Sequence, residues 1–218
     1  MSGIVTGLKF QKTNRQRISV YLDGAYAFGL PDTVAAQLSI GQTLSDDRIA
    51  ELQELDNLER AYQRTLVLLA HRARSVAEIH RYLARLDVTP EAIAVIVDRL
   101  TAYGYLDDLR FAQAWIEDRE RFRPRSPAAL RNELRDKGVS QEIIAQVLSE
   151  LDQDASAYRA AEAYVRRLER LDERSFRQKL GNHLLRRGFA HSVVWPVVDQ
   201  IWSEQHGAET QDEFNDWQ

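Results

Sequence analysis

Residues Leu130–Leu148 read LRNELRDKGVSQEIIAQVL, and the architecture of the chain can be inferred outward from this segment. Apolar residues recur at helical spacing on both sides of Gly138. Gly138 is suited to the left-handed conformation that ends a helix, and Ser140 is suited to cap the next helix. The segment therefore predicts two helices joined by a sharp turn, as in a helix-turn-helix unit. Because many helical interaction modules use the same turn, it is only weak support for DNA recognition.

The pattern occurs three times along the chain. Residues 79–97 match residues 130–148 at an offset of 51, and residues 130–148 match residues 180–198 at an offset of 50. The first copy has Asp87 where the others have glycine, and Asp tolerates the left-handed conformation less well. A further apolar-periodic segment precedes each copy, so the sequence predicts three tandem three-helix modules. Small modules in series favour an elongated arrangement that could follow a groove.

The first thirty residues have the pattern of β-strands. Ile4–Phe10 and Ile18–Leu22 are rich in apolar and β-branched side chains, and Asp23-Gly24 is a two-residue hairpin signal that leads into Ala25–Leu30. A short helix is expected over Val34–Leu38. The predicted fold class is thus mainly α, with a small N-terminal β-hairpin or sheet followed by the three helical repeats.

Helix start signals support the same division. Ser45 precedes two acids, Ser75 and Glu78 form a capping box, and Thr89 precedes a proline at the first helical position. The predicted segments are residues 1–44 (β-rich, with a short helix), 45–105, 106–152 and 153–204 (the three helical modules) and 205–218 (an acidic tail).

Composition excludes several classes of protein. The chain of 218 residues is 44% hydrophobic and 28% charged, as expected for a soluble globular protein. It has no cysteine, which excludes disulfides, thiolate metal sites and cysteine nucleophiles. No apolar run approaches the roughly 20 residues that span a bilayer, and the N-terminus lacks a secretory signal. A cytoplasmic protein without membrane contact is expected.

The formal net charge of −4 conceals an uneven distribution. Residues 199–218 contain six acids and no Lys or Arg, so residues 1–198 carry a formal charge of +2. Bases concentrate in residues 119–137 and 166–187, and arginine forks suit carboxylates and phosphates alike. The candidate contacts to a partner or to DNA are Arg119, Arg121, Arg123, Arg125, Arg131, Arg135, Lys137, Arg166, Arg167, Arg186 and Arg187. The alternative for any single arginine is a solvated helix face.

Catalytic and metal-binding patterns are missing from the sequence. There is no glycine-rich loop followed by Lys-Ser/Thr, and the five histidines are scattered, so no cofactor and no metal are expected. Asp107-Asp108 could form a metal-binding pair but are better interpreted as the cap and first turn of a helix. Trp115, Trp195 and Trp202 fall on helical apolar faces and are expected in the core, whereas Trp217 is expected to be exposed.

Five groups of residues occur in an order that is shared with a known family. They are Leu22-Asp23-Gly24 leading to Phe28-Gly29-Leu30, Arg72–Ile79 with Tyr82-Leu83, Gly104–Asp108 with Phe111-Ala112 and Trp115, Glu133-Leu134 with Lys137-Gly138-Val139, and Leu184–Phe189. In these residues the chain resembles the RecX family, the regulators of bacterial RecA recombinase, and the resemblance covers most of residues 3–200. The chain departs from the family pattern at Asp87, in the unusually basic segment Arg119–Arg125, and in the acidic tail beyond Trp202.

The resemblance implies a non-enzymatic regulator in DNA repair, homologous recombination and the SOS response. Such proteins bind the RecA filament on single-stranded DNA and suppress its ATPase, extension and strand exchange. A monomer with weak direct DNA binding is expected. For this chain, cutting after Val198 should tighten binding to DNA or filament, since it removes the acids that follow.

Two alternatives remain open. The first is a DNA-binding protein that uses its helix-turn-helix units for direct recognition. Its candidate recognition helices, Gln141–Leu148 and Ser192–Ile201, contain no Lys or Arg. They are therefore poorly suited to reading base edges, which Arg most often reads. The second is an enzyme, for which no motif was found.

Overall fold

The computed structural model describes residues 2–12 and 14–206. Residues 207–218, which are most of the predicted acidic tail and include Trp217, lie outside the described residues. The strands are β1 (Gly3–Phe10), β2 (Arg17–Leu22), β3 (Ala25–Pro31) and β4 (Thr43–Leu44). The helices are α1 (Asp32–Ala35), α2 (Asp46–His71), α3 (Val76–Ala84), α4 (Pro90–Ala102), α5 (Asp108–Phe122), α6 (Pro127–Asp136), α7 (Gln141–Ser149), α8 (Gln153–Val165), α9 (Glu173–Arg186) and α10 (His191–His206).

The N-terminal strands form one antiparallel sheet in the order β3-β2-β1-β4. Val20 pairs with Leu8 on one side and with Phe28 on the other, and it is fully buried. The hairpin turn places Asp23 and Gly24 at positive φ angles of 48° and 86°. The predicted mainly α fold with a small N-terminal sheet is confirmed, although the two-residue strand β4 carries no sequence pattern that could have predicted it.

The first two helices can be compared with the sequence signals. Pro31 and Asp32 open the short helix as predicted, but α1 is only one turn long and ends at Ala35 rather than Leu38. The predicted start at Ser45 is confirmed, since its hydroxyl accepts a hydrogen bond from the Arg48 amide. From there α2 runs for 26 residues without a break.

The chain divides into two compact units. The first unit contains residues 1–73 and 79–105, and the second contains residues 74–78 and 106–218. The sheet and helix α2 share a core in the first unit, around Leu30 and Leu52. The predicted division into five segments at residues 44, 105, 152 and 204 stays a prediction.

The second unit contains two apolar cores with the same plan. Helices α5, α6 and α7 enclose one of them around Leu130 and Leu134, and helices α8, α9 and α10 enclose the other around Leu180 and Leu184. These leucines are the residues that match at an offset of 50, and all four are fully buried. The repeat in the sequence is therefore a repeat of core positions.

All three predicted helix-to-helix turns have a left-handed residue at the expected position. The φ angles are 55° at Asp87, 81° at Gly138 and 89° at Gly188. In each turn the amide of the following residue returns to a carbonyl near the end of the first helix, as from Val139 to Leu134 over 3.1 Å. Asp87 thus takes the conformation for which the other copies use glycine.

The turn at Gly138 packs on the first turn of helix α3. A Cβ atom at Gly138 would lie 2.3 Å from the Ala77 Cβ, so the contact has no room for a side chain. The Ser75 hydroxyl donates a hydrogen bond of 2.5 Å to the Lys137 carbonyl, while its oxygen caps α3 by accepting from the Glu78 amide. The capping box is confirmed, and its serine also binds the turn.

The turn at Gly188 repeats this contact one module later. A Cβ atom at Gly188 would lie 2.7 Å from Ser126 Oγ and 3.1 Å from the Ala129 Cβ, at the first turn of helix α6. The Ser126 amide donates to the Arg187 carbonyl over 3.2 Å. Ser126 and Arg187 correspond to Ser75 and Lys137 in the repeat, so both turns are anchored by one serine and one carbonyl.

The predictions for Asp107-Asp108 and for Trp195 concern residues of the second unit. Asp107 caps helix α5 as predicted, accepting a hydrogen bond from the Arg110 amide, and Asp108 accepts from the Val76 amide over 2.8 Å. The placement of Trp195 in the core was wrong, since its side chain is 41% exposed. Val194 and Val198 form the buried stripe of α10, and Trp195 is rotated off that stripe by one position, about 100°.

We expect Gly138→Ala to lower the free energy of unfolding by about 3 kcal/mol, because left-handed strain of about 1–2 kcal/mol adds to an overlap with Ala77. Gly104→Ala is the matched control, since Gly104 has a φ of 72° but nothing within 4 Å of an added Cβ. It should lose only about 1 kcal/mol. Urea unfolding measures both, and equal losses would show that the contact with Ala77 is not tight.

Candidate functional site

The eleven candidate contacts fall into two groups. Four side chains are engaged within the protein and are half-buried, namely Arg119, Arg125, Lys137 and Arg187. The other seven are exposed, namely Arg121, Arg123, Arg131, Arg135, Arg166, Arg167 and Arg186. None of these seven forms an ion pair with another residue in the described ranges 2–12 and 14–206. The charges of these seven side chains are therefore available for contact with a partner.

Glu133 holds two of the engaged arginines. Its Oε2 accepts hydrogen bonds from Arg119 Nε over 2.7 Å and from Trp115 Nε1 over 2.8 Å, and its Oε1 lies 3.1 Å from Arg125 Nη1. The guanidinium of Arg119 also lies 4.5 Å from the centre of the Trp115 ring, a cation–π distance. This network favours a packing role for Arg119 at the surface of the core around Leu130 and Leu134.

Lys137 is engaged in a similar way. Its Nζ lies 3.1 Å from Glu78 Oε1 and 4.9 Å from the centre of the Trp115 ring. The side chain thus reinforces the contact between the Gly138 turn and helix α3. With its charge compensated by Glu78, Lys137 is a weaker candidate for an external contact than the exposed arginines.

Arg187 is bound to uncharged acceptors. Its Nη1 donates to the Pro124 carbonyl over 2.9 Å, and its Nε lies 2.9 Å from His183 Nε2. Because a guanidinium can only donate, His183 Nε2 must be the unprotonated, accepting nitrogen of a neutral imidazole. The position of the imidazole proton is inferred from this hydrogen bond. Arg187 therefore keeps its full charge beside a neutral ring.

His183 lies at the centre of a group of positive charges. Its ring stacks on Tyr164 with centroids 3.9 Å apart, and the Arg167 guanidinium lies 5.9 Å from that tyrosine ring. Burial, followed by the charges of Arg187, Arg186 and Arg167, lowers the pKa of His183 to about 4. The neutral state inferred from the hydrogen bond agrees with this shift.

We call five side chains the arginine cluster: Arg123, Arg125, Arg167, Arg186 and Arg187. Burial lowers the pKa of Arg187, and the charges of Arg125 and Arg123 lower it further. Within the described part of the chain, Glu133 on Arg125 is the acid that pairs with the cluster. Five positive charges with one paired carboxylate form a surface suited to bind an anion.

Part of this site was not identified from the sequence. His183 is one of the five scattered histidines of the sequence, from which no site was expected. One signal was present, since His183 and Arg187 are four residues apart and therefore share a helix face. The approach of Pro124 and Arg123 to Arg187 had no signal, because these residues are more than 60 positions apart.

The first unit carries a different surface. An open groove of about 1020 Å³ runs between helix α2 and the α3–α4 turn. Its apolar lining includes Leu55 and Val95, which are 47% and 51% exposed, and charged side chains such as Arg60 and Glu91 also line it. Exposed apolar residues surrounded by charges are typical of a protein-binding surface.

Membrane-spanning helices and clusters of metal ligands are both missing from residues 2–12 and 14–206. None of the helices there has the length and apolar character that crossing a bilayer requires. No three His, Cys, Asp or Glu side chains in this part of the chain are grouped so as to hold a metal ion.

The stability of the protein should fall as the pH is lowered from about 6.5 towards 4. The unfolded chain binds a proton at His183 near the ordinary pKa of about 6.5, whereas folded His183 resists protonation down to about 4. We expect His183→Gln, which keeps an oxygen acceptor for Arg187, to lose less stability between pH 7 and pH 5 than the unaltered protein. Urea unfolding at both pH values measures the difference. An identical pH dependence would contradict the role of His183.

Family models describe four parts of the chain. The N-terminal domain of the regulatory protein RecX matches residues 3–45, and the first, second and third three-helix domains of RecX match residues 61–100, 107–148 and 152–198. The four matches follow the chain in the order sheet, first, second and third helical module.

Whole-chain comparisons agree. The chain is 31% identical to the regulatory protein RecX of Bacillus subtilis (strain 168) over 202 residues, covering 90% of this chain and 76% of that protein. It is 27% identical to the regulatory protein RecX of Listeria innocua, covering 95% and 79%. A crystal structure of a regulatory protein RecX aligns with a TM-score of 0.70 at 28% identity, covering 90% of this chain and 99% of the other.

A second crystal structure, of RecX from Lactobacillus salivarius, covers 66% of this chain and 96% of its own with a TM-score of 0.57. At 20% identity it supports the fold alone. The family models, the identity to the relatives and the shared fold lead to one conclusion: the chain belongs to the RecX family of regulatory proteins.

Proposed function

We propose that the protein is a non-enzymatic regulator that binds the RecA filament on single-stranded DNA and suppresses its ATPase, extension and strand exchange. Membership of the RecX family supports a regulatory role. The observation that carries the filament contact is the arginine cluster, whose exposed members Arg123, Arg167 and Arg186 form no ion pair with the described residues 2–12 and 14–206. A filament on DNA offers both acidic protein surfaces and phosphates to such a cluster.

The two surfaces support binding through several contacts at once. The arginine cluster suits an anionic partner, whereas the groove at Leu55 and Val95 suits an apolar protein segment. A filament repeats each of its surfaces from one subunit to the next. Once one surface of the regulator is bound, the second binds at a high effective concentration, so weak contacts combine into a tight complex.

Direct recognition of bare DNA is the alternative function. Helix α7 and the part of α10 up to Ile201 follow the left-handed turns, where a helix-turn-helix protein places its recognition helix. Neither helix contains Lys or Arg, so base edges would have to be read without the side chains that most often read them. The arginine cluster lies elsewhere and suits phosphates, which carry no sequence information.

ATP hydrolysis by the recombinase on single-stranded DNA tests the proposal. We expect the protein to slow hydrolysis at amounts below one molecule per recombinase subunit, because a bound regulator affects neighbouring subunits. The triple variant Arg123→Gln, Arg167→Gln, Arg186→Gln should raise the concentration for half-inhibition by about tenfold, on the basis of about 0.5 kcal/mol for each exposed charge.

The matched control neutralises three exposed bases of the first unit that do not line the groove, Lys12, Arg15 and Arg85, by substitution with Gln. It makes the same change in net charge, and we expect less than about a threefold effect. Normal ATP hydrolysis at saturating protein would rule out the proposed function. Binding to bare single-stranded DNA as tight as to the filament, in the same salt, would favour the alternative.

A further inference from the structure

We propose that the arginine cluster is a binding site for the chain's own acidic segment, residues 207–218, and that external polyanions must displace this segment. The inference goes beyond the proposed function, because it concerns a contact within the free protein. Three observations carry it: the uncompensated charge of the cluster, the charge of the segment, and the distance between them along helices α9 and α10.

The cluster contains repulsion that an anion would relieve. Arg187 is held by the Pro124 carbonyl and by neutral His183, neither of which supplies a negative charge. Its Nη2 group forms no hydrogen bond with residues 2–12 or 14–206, and Arg123 and Arg186 are exposed beside it. Burial is the main cause of the lowered pKa values of Arg187 and His183, and nearby positive charges lower both pKa values further. A carboxylate at this point would gain charge-assisted hydrogen bonds with little rearrangement.

The segment has complementary charge. Residues 207–218 contain four acids and no Lys or Arg. These acids are Glu209, Asp212, Glu213 and Asp216. Four negative charges on a segment of this length match the four arginines of the cluster that have no ion-pair partner among the described residues, Arg123, Arg167, Arg186 and Arg187.

The segment is long enough to reach the cluster. It follows His206, whose ring stacks on Trp202 at 3.6 Å and lies 6.5 Å from the ring of Phe176 on helix α9. From Phe176 to Arg186 the helix advances about 15 Å, at 1.5 Å per residue. Twelve residues extend to about 40 Å, which is more than twice that distance. Twelve residues are therefore long enough to span the distance from His206 to the cluster.

Attachment to the same chain makes the contact effective. A segment on the same chain has an effective concentration in the millimolar range at the cluster, so individually weak ion pairs suffice to occupy the cluster in the free protein. A partner with a higher density of negative charge, such as a nucleic-acid backbone, would compete with the segment. Strongly acidic partners would displace the segment from the cluster, whereas weakly acidic partners would not.

The test uses the full chain without recombinase or DNA. Because the chain has no cysteine, Thr210→Cys supplies a unique site for a nitroxide spin label. At low salt we expect the label to weaken the backbone amide signals of residues 123–126 and 186–188 at least twofold relative to the reduced label. The broadening should disappear near 1 M salt, where charges are screened within about 3 Å.

Two variants make the test specific. In the first, Glu209→Gln, Asp212→Asn, Glu213→Gln and Asp216→Asn remove the charge of the segment and should abolish the broadening. In the second, Arg123→Gln, Arg167→Gln and Arg186→Gln remove exposed charges of the cluster and should have the same effect. The first-unit variant with Lys12, Arg15 and Arg85 replaced by Gln should keep the broadening.

The inference is overturned if the cluster signals are not broadened at low salt, or if the neutralised segment broadens them equally. Both results are independent of the recombinase, so they leave the proposed function unaffected. For an affinity measurement, the truncation must fall after His206. A cut after Val198 would remove buried Ile201 and the Trp202 ring that packs on Phe176, and would disturb the core around Leu180 and Leu184.

Discussion

A left-handed glycine turn, packed on the first turn of an earlier helix, is the contact on which the second unit depends. Gly138 meets Ala77 and Gly188 meets Ser126, and neither contact leaves room for a Cβ atom. Each turn exposes the carbonyl of the residue before the glycine, and the serine at the start of the earlier helix binds that carbonyl. The close approach of each glycine turn to the earlier helix therefore brings the serine within hydrogen-bonding distance of the carbonyl.

The same contact determines where basic side chains are placed. Each turn places the residue before the glycine, Lys137 or Arg187, in contact with residues much earlier in the chain. Lys137 meets Glu78, and its charge is compensated there. Arg187 meets a proline carbonyl and a neutral histidine, and its charge is left uncompensated among other arginines. The same turn thus gives an internal ion pair in one copy of the repeat and an arginine without a charged partner in the next.

Much of the fold was accessible from the sequence because its signals are local. The caps at Ser45 and Asp107, the left-handed position at Asp87 and the buried leucines of the repeat all depend on residues within a few positions of each other. Predictions failed where the outcome depends on distant partners. Strand β4 forms beside β1, which lies far earlier in the chain, and the packing of α10 on α8 and α9 decides which of its faces is buried and leaves Trp195 exposed.

The candidate site was also only partly predictable from the sequence. The amino-acid sequence alone specified the repeat, the turns, the family resemblance and a set of eleven basic residues. Only the tertiary structure separated Arg119 and Lys137, held by Glu133 and Glu78, from the arginines around His183. The physical reason is that periodicity and capping act between neighbours in the chain, whereas charge compensation depends on groups as far apart as Glu78 and Lys137, which are 59 positions apart and meet only after the modules have packed.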